Sequence, residues 1–176
     1  ISGTDAASIS INSSSGVITF ASAPDYETKT SYALTATASD GVNSINQSIT
    51  INISDLNDNS PVFTSSATFS AAENQTSIGT VTATDADATD SITFSVSGTE
   101  LSITSAGVLT FASAPDYETT TSLTATVTAT DGTNTTTQAV TVNVTDVNDN
   151  SPVFTSSATF SVAENQSSIG SVTTTD

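Results

Sequence analysis

The 176-residue sequence predicts an all-β chain, a linear array of tandem immunoglobulin-like β-sandwiches with seven Greek-key strands each. Three observations carry that expectation. The sequence repeats itself at a fixed offset, its apolar residues alternate with polar ones, and turn signals break the alternating runs into short strands. The offset is 91 residues, the distance from Asp55 to Asp146, Pro61 to Pro152, Asp25 to Asp116, Asp85 to Asp176 and Glu73 to Glu164. "FASAPDYET" begins at Phe20 and again at Phe111, and "NDNSPVFTSSATFS" at Asn57 and again at Asn148. A period of this size is one small domain.

The period divides the chain into the C-terminal part of one repeat over 1–58, a complete repeat over 59–149 and the N-terminal part of a further repeat over 150–176. In the complete repeat, Phe69, Ile78, Val81, Ile92, Phe94, Ile103, Leu109 and Phe111 are the core residues of the earlier strands. In "SLTATVTATDG", Leu123, Ala125, Val127 and Ala129 alternate with threonines, as a strand with one buried face requires. Val140, Val142 and Val144 continue the pattern, and Ile49, Ile51 and Ile53 hold the same places in the first repeat. Asp40-Gly41 and Asp131-Gly132 are turn signals. Between Val144 and the next "PVF" the connection contains "DVNDN", too short for a flexible tether. Pro61 and Pro152 lack an N–H and suit an extended junction.

Apolar residues make up 35% of the chain, enough for a modest core in each repeat. Lys29 is the only basic residue against 18 acids, a net charge of -17. That excludes nucleic acid and anionic membrane as partners and favours cations. Without cysteine there is neither a disulfide framework nor a thiolate zinc site. No signal peptide, lipidation motif or long apolar run occurs, so no direct membrane insertion is expected of this segment, and any secretion signal or anchor lies outside it or does not exist. An enzyme is not expected: histidine and cysteine are absent, and carboxylate pairs recur at every junction instead of forming one active site.

Of the 18 acids, Asp5, Asp90 and Glu100 alone fall outside recurring motifs. Two carboxylates about 5 Å apart repel by roughly 3 kcal/mol at an effective dielectric near 20. A divalent cation makes such clustering tolerable. Carboxylates, asparagine carbonyls and backbone oxygens are hard ligands, the set suited to calcium. Asp25 and Glu27 stand two apart, as do Asp85 and Asp87, so an extended segment projects each pair to one side.

The motifs "DxNDNxP", "xEN", "DxE" and "DxD", in the order found here, resemble the cadherin repeat, and the resemblance covers the whole chain. It implies cadherin-type sandwiches with three calcium ions at each junction, held by both neighbouring repeats and the linker. For the first junction the implied ligands are Asp25, Glu27, the Leu56 carbonyl, the Asn57 side chain, Asp58, the Asn59 carbonyl, Asp85, Asp87 and Asp131. For the second they are Glu73, Asp116, Glu118, Val147, Asn148, Asp149, Asn150 and Asp176. Asp40 and Glu164 belong to junctions beyond these, and Asp55 and Asp146 act as supports more than ligands. A carbonyl near Thr89 or Asp90 completes the third ion. A complete junction of this kind sets seven carboxylates against three dications, so the charges nearly cancel. Tyr26 and Tyr117 stand where the animal family usually has arginine, "AEN" replaces "PEN", and tryptophan is absent. These departures and the lysine-poor composition look like a microbial surface protein.

The function expected is that of an extracellular or cell-surface segment, stiffened by calcium, that acts in cell adhesion or as a structural surface fibre. Its expected partners are calcium ions, copies of itself or neighbouring repeats in a fibre, and a cell-surface protein or glycan. Other readings stand beside it. Asn and Asp also form ordinary turns; the threonine rows could present a glycan- or ice-binding face; and sequons at Asn12, Asn46, Asn52, Asn74, Asn134, Asn143 and Asn165 leave glycosylation open. Copies of the chain laid end to end would lack only the six residues matching Ala86–Ser91. The chain is therefore either a window of a continuous array or a subunit of a self-assembling filament whose copies complete one another's sandwich by strand sharing.

Overall fold

The computed structural model describes residues 1–87 and 91–176. The expected carbonyl ligand near Thr89 or Asp90 lies outside the described residues. After a single 3-10 turn at Ala6–Ser8, β1 (Ile9–Ile11) pairs with β2 (Ile18–Phe20), and β3 (Ser31–Ser39) with β4 (Ser44–Asn52). There follow β5 (Val62–Phe63), β6 (Thr68–Ala72), β7 (Ser77–Thr80), β8 (Ala83–Thr84), β9 (Thr93–Val96), β10 (Leu101–Ile103) and β11 (Val108–Phe111). The long strands β12 (Ser122–Thr130) and β13 (Thr135–Thr145) come next, and β14 (Val153–Phe154) and β15 (Thr174–Thr175) close the chain.

In the central repeat, a four-stranded sheet of order β6-β13-β12-β9 packs against a three-stranded sheet of order β10-β11-β7. The period-two pattern explains the pairing. In the β12–β13 register Leu123 faces Val142 and Ala125 faces Val140, so the apolar residues share one side and the threonines the other. β3 and β4 repeat that register, with Leu34 opposite Ile49. Val81, Leu101, Leu109, Phe111, Val127, Val140, Val142 and Val144 form the buried core with Ala71. Of the residues expected there, Phe69, Ile78, Phe94 and Ile103 pack on the core while half-buried, and Ile92 is half-buried outside it. Leu101 and Ala71 complete it.

The first strand of the central repeat is broken into β5 and β6. β5 pairs with β8, whereas β6 crosses over and runs parallel to β13, with Val144 opposite Ala71 and Thr145 opposite Ala72. This crossing carries Glu73 to the end of β13, where the linker begins. Gly107 makes the tight turn between β10 and β11: its φ is 88°, and a Cβ there would lie 2.2 Å from the Val81 carbonyl oxygen. Its own carbonyl accepts a hydrogen bond from Val81 N at 2.8 Å, so the contact cannot relax without breaking the inter-strand tie. Gly107→Ala is expected to cost about 2 kcal/mol or more. Gly98 has φ 83° but open space around it, and Gly98→Ala is expected to cost about 1 kcal/mol. Chemical denaturation of both variants checks the difference.

Candidate metal centres

Glu73 follows β6 and is 3% exposed. Its backbone N–H extends the parallel ladder to Thr145 O at 3.1 Å. Its carboxylate accepts from Tyr117 N at 2.7 Å and from Val147 N at 2.8 Å, so one buried acid joins a strand end, the "PDYE" turn and the linker. Asn74, at φ 60°, turns the chain away and donates its backbone N–H to Pro115 O at 3.0 Å. In the turn after Pro115, Asp116 Oδ1 accepts from Glu118 N at 3.0 Å and the Asp116 carbonyl from Thr120 N at 2.8 Å. The result gathers Glu73, Asp116 and Glu118, with one carboxylate oxygen from each within 4.8 Å of the others.

Two further groups lie around the "DLNDN" linker: Glu27 with Asp55 and Asp87, and Asp85 with Asp87 and Asp131. Asp87, 2% exposed, belongs to both. It accepts from the backbone N–H and the side-chain amide of Asn59, each at 2.9 Å. Asp131 Oδ1 accepts from Thr133 N at 2.7 Å and Asn134 N at 2.6 Å, an Asx turn that aims the carboxylate at the linker. The Asn134 side-chain amide donates to Asn57 Oδ1, to the Asn59 carbonyl at 2.6 Å and to Asp131 Oδ2 at 3.2 Å.

The structure thus brings together most of the expected residues. Asp25 caps its own turn, accepting from Glu27 N at 3.1 Å and from the Thr28 hydroxyl at 2.9 Å. Asp58 is exposed, outside the three groups, and accepts from the Asn59 amide at 3.1 Å. The Leu56 side chain is exposed. At the second junction Asp149 accepts from the amides of Asn74 and Asn150. Glu118, Asp146, Asn148, Asn150 and Asp176 share the lining of a cavity of about 540 Å³. Two further residues stand at these groups. Asp55, read as a support, stands among the acids; the alternation Ile53, Asp55, Asn57 places it on the same side of the extended linker as Asn57. Asn134 had no signal beyond its position three residues after Asp131.

Like charge registers in the titration of these groups. Glu27 and Glu118 are held above the usual carboxylate range. For each, its own backbone N–H pulls downward, but burial, a hydrogen bond shared with the neighbouring aspartate (Asp25 or Asp116) and nearby negative charge outweigh it. Asp40 and Asp131 lie below that range: Asn43 N–H and Val42 N–H stabilise the Asp40 carboxylate, and at Asp131 burial opposes but the Asn134 and Thr133 N–H donors prevail.

A cation fits this donor set. Both Asp55 oxygens and Asp85 Oδ2 are shut from solvent without a hydrogen-bond partner among the described residues, and a buried carboxylate without a partner is costly. Lys29, the only basic residue of the sequence, is paired with Asp5 and sits 4.7 Å from the Tyr32 ring centroid, so no side-chain cation serves these acids. All the candidate ligands are oxygens, which selects a hard divalent ion.

In chelator, acidification should act in two stages. Glu27 and Glu118, whose raised values mean that charge is disfavoured in the fold, protonate first and remove a penalty, so thermal stability holds or rises as pH falls toward the ordinary carboxylate range. Below it, Asp40 and Asp131 protonate and their stabilisation, complete above the unfolded value, is lost as pH falls through the folded one. Thermal melts across pH 7 to 3 would decline throughout if the Glu27 and Glu118 shifts alone had the opposite sign.

No family model matches the chain. Human protocadherin Fat 4 is 36% identical over 166 residues, which is 88% of this chain and 3% of that protein. Among solved structures, protocadherin Gamma B2 extracellular cadherin domains 3-6 superpose with a TM-score of 0.75 at 30% identity, over 84% of this chain and 41% of that one. Chicken VE-cadherin EC1-2 superposes at 0.62 with 30% identity, covering 79% of this chain and 78% of its own. These relatives are animal proteins and lend no support to a microbial style. With the two-sheet sandwich, the linker acids and these relatives in agreement, the chain belongs to the cadherin repeat family.

Proposed function

We propose that this chain is a calcium-rigidified segment of an extracellular protein that acts in cell adhesion or as a structural surface fibre. The observation that carries the reading is the buried, unpartnered carboxylate of Asp55, set beside Glu27 from the residues before the linker and Asp87 from those after it. A bound dication neutralises such a group and ties its three segments together. At the first junction Glu27, Asp55, Asp85, Asp87 and Asp131 supply carboxylates, with Asn57 and Asn59 oxygens beside them. At the second, Glu73, Asp116 and Glu118 do so, with Asp146, Asn148, Asn150 and Asp176 around the adjoining cavity. Asp25, Asp58, Asp149 and the Leu56 and Val147 carbonyls complete the set proposed from the family resemblance. Calcium is the ion proposed, at affinities of about 0.1 to 1 mM typical of extracellular modules.

The division into repeats at 58/59 and 149/150 belongs to the same reading, since it puts each linker between two sandwiches. The role is mechanical: carboxylates repel across the junction until a cation holds them, and the array then stiffens. Partners at the tip, a cell-surface protein or glycan, are part of the proposal, and no catalytic step is. Phe160, Ile169 and Val172 are 40%, 65% and 66% exposed, whereas their counterparts Phe69, Ile78 and Val81 pack in the central core. A continuing array and strand sharing by another copy would each cover this face, so the contrast favours neither.

Small-angle X-ray scattering in millimolar calcium and in chelator tests the reading. A long, well-defined maximum dimension with calcium and a flexible ensemble without it are expected; a dimension beyond one chain would favour strand sharing. Identical curves would remove calcium from the mechanism. Asp87→Ala should weaken calcium binding on the order of tenfold or more, because one carboxylate serves two groups, while circular dichroism stays that of a folded sandwich.

A further inference from the structure

We propose that Asn134 is a built-in competitor for the cation of the first junction, an amide clasp that holds the linker by itself and must withdraw before the ion can bind. The inference rests on the calcium reading above. The Asn134 side-chain nitrogen donates to three oxygens, Asn57 Oδ1, the Asn59 carbonyl at 2.6 Å and Asp131 Oδ2 at 3.2 Å. An NH₂ group has two hydrogens, so three acceptors converge on one nitrogen with a donor too few. The same three oxygens belong to the ligand set proposed for the junction, and Asp131 stands in one group with Asp85 and Asp87. Calcium–oxygen distances are about 2.3 to 2.6 Å. A cation held by these oxygens would occupy the place of the nitrogen, so the two are mutually exclusive.

The orientation of the amide is determined by its surroundings. Turned over, it would set Oδ1 against three acceptors, all repulsive to it. The turn beneath the amide forms without the linker. Asn43 occupies the matching place in the first repeat, with the same Asx turn: Asp40 Oδ1 accepts from Val42 N at 2.9 Å and from Asn43 N at 2.6 Å. There the side-chain amide meets Asp40 Oδ2 at 3.4 Å. The loop therefore builds the turn by itself, and beside the linker the Asn134 amide meets linker oxygens as well. Asn134 is anchored for this role, its carbonyl accepting from the Thr130 hydroxyl at 2.9 Å.

A neutral amide meets part of the need of these oxygens but brings no charge to the carboxylates. The clasp thus keeps the hairpin loop on the linker at low calcium and yields as calcium rises, raising the concentration at which the junction fills. Losing it should tighten binding about three- to tenfold, the span expected when a hydrogen bond of ordinary net strength no longer has to be broken.

NMR titration of the ¹⁵N-labelled full chain with calcium, read at the Gly132 and Thr133 backbone amides, tests this locally. Asn134→Ala is expected to lower the calcium midpoint about three- to tenfold and, in chelator, to loosen the linker in ¹⁵N relaxation; Asn43→Ala should leave the Gly132 midpoint unchanged. In the unmodified chain, the Asn134 side-chain NH₂ should exchange slowly with solvent in chelator and fast in calcium, a readout that does not depend on the variant folding. An unchanged midpoint overturns the competition, and a raised one makes Asn134 a ligand. If Gly132 and Thr133 of the unmodified chain ignore millimolar calcium, the calcium reading fails, and this inference with it.

Discussion

Uncompensated negative charge at the linker is the constraint around which the rest of this molecule is arranged. Asp55, Asp85 and Asp87 are drawn in from solvent among other acids, and the lone lysine is committed to Asp5. Charge of one sign cannot be buried in this way without a large penalty. Each group therefore depends on what is brought to it: backbone N–H donors, an amide, or a cation.

Glu73 and Asp55 show the two solutions side by side. Glu73 is buried like the core residues, yet two backbone N–H groups satisfy it, so it functions as a structural tie between strand end, turn and linker. Asp55 has no such donors among the described residues. The difference follows from backbone direction. At Glu73 the parallel β6–β13 pairing leaves the linker and the "PDYE" turn pointing N–H groups inward, while the extended linker at Asp55 offers none. Asp87 lies between these cases, with Asn59 as its donor and a place in two acidic groups.

The sandwich makes these arrangements possible because it is stiff where the acids attach. Glu73 follows a strand of the larger sheet, Asp131 opens the β12–β13 hairpin turn, and the linker continues directly from β13. None of these positions needs a long loop. Threonine on the outward faces and valine on the inward faces keep the strands in register, so the relative placement of the carboxylates is set by backbone hydrogen bonds more than by side-chain packing.

Much of this was legible beforehand. Alternation of Val140, Val142 and Val144 defined a strand and its buried side, the repeat of "NDNSPVF" set a period of 91 residues, and the paired acids pointed to carboxylate groups near the linkers. These are local properties, carried by period, turn chemistry and residue type, and the amino-acid order by itself determined them. What only the tertiary structure decided was which oxygen finds a partner. Asp55 and Asp58 are three residues apart in the same linker, yet one is enclosed without a donor and the other is exposed. Asn134 reaches the linker carbonyl of Asn59 from 75 residues away. The reason is that desolvation and hydrogen bonding depend on groups dozens of residues away in the chain, and their meeting is a property of packed backbones that no local pattern encodes.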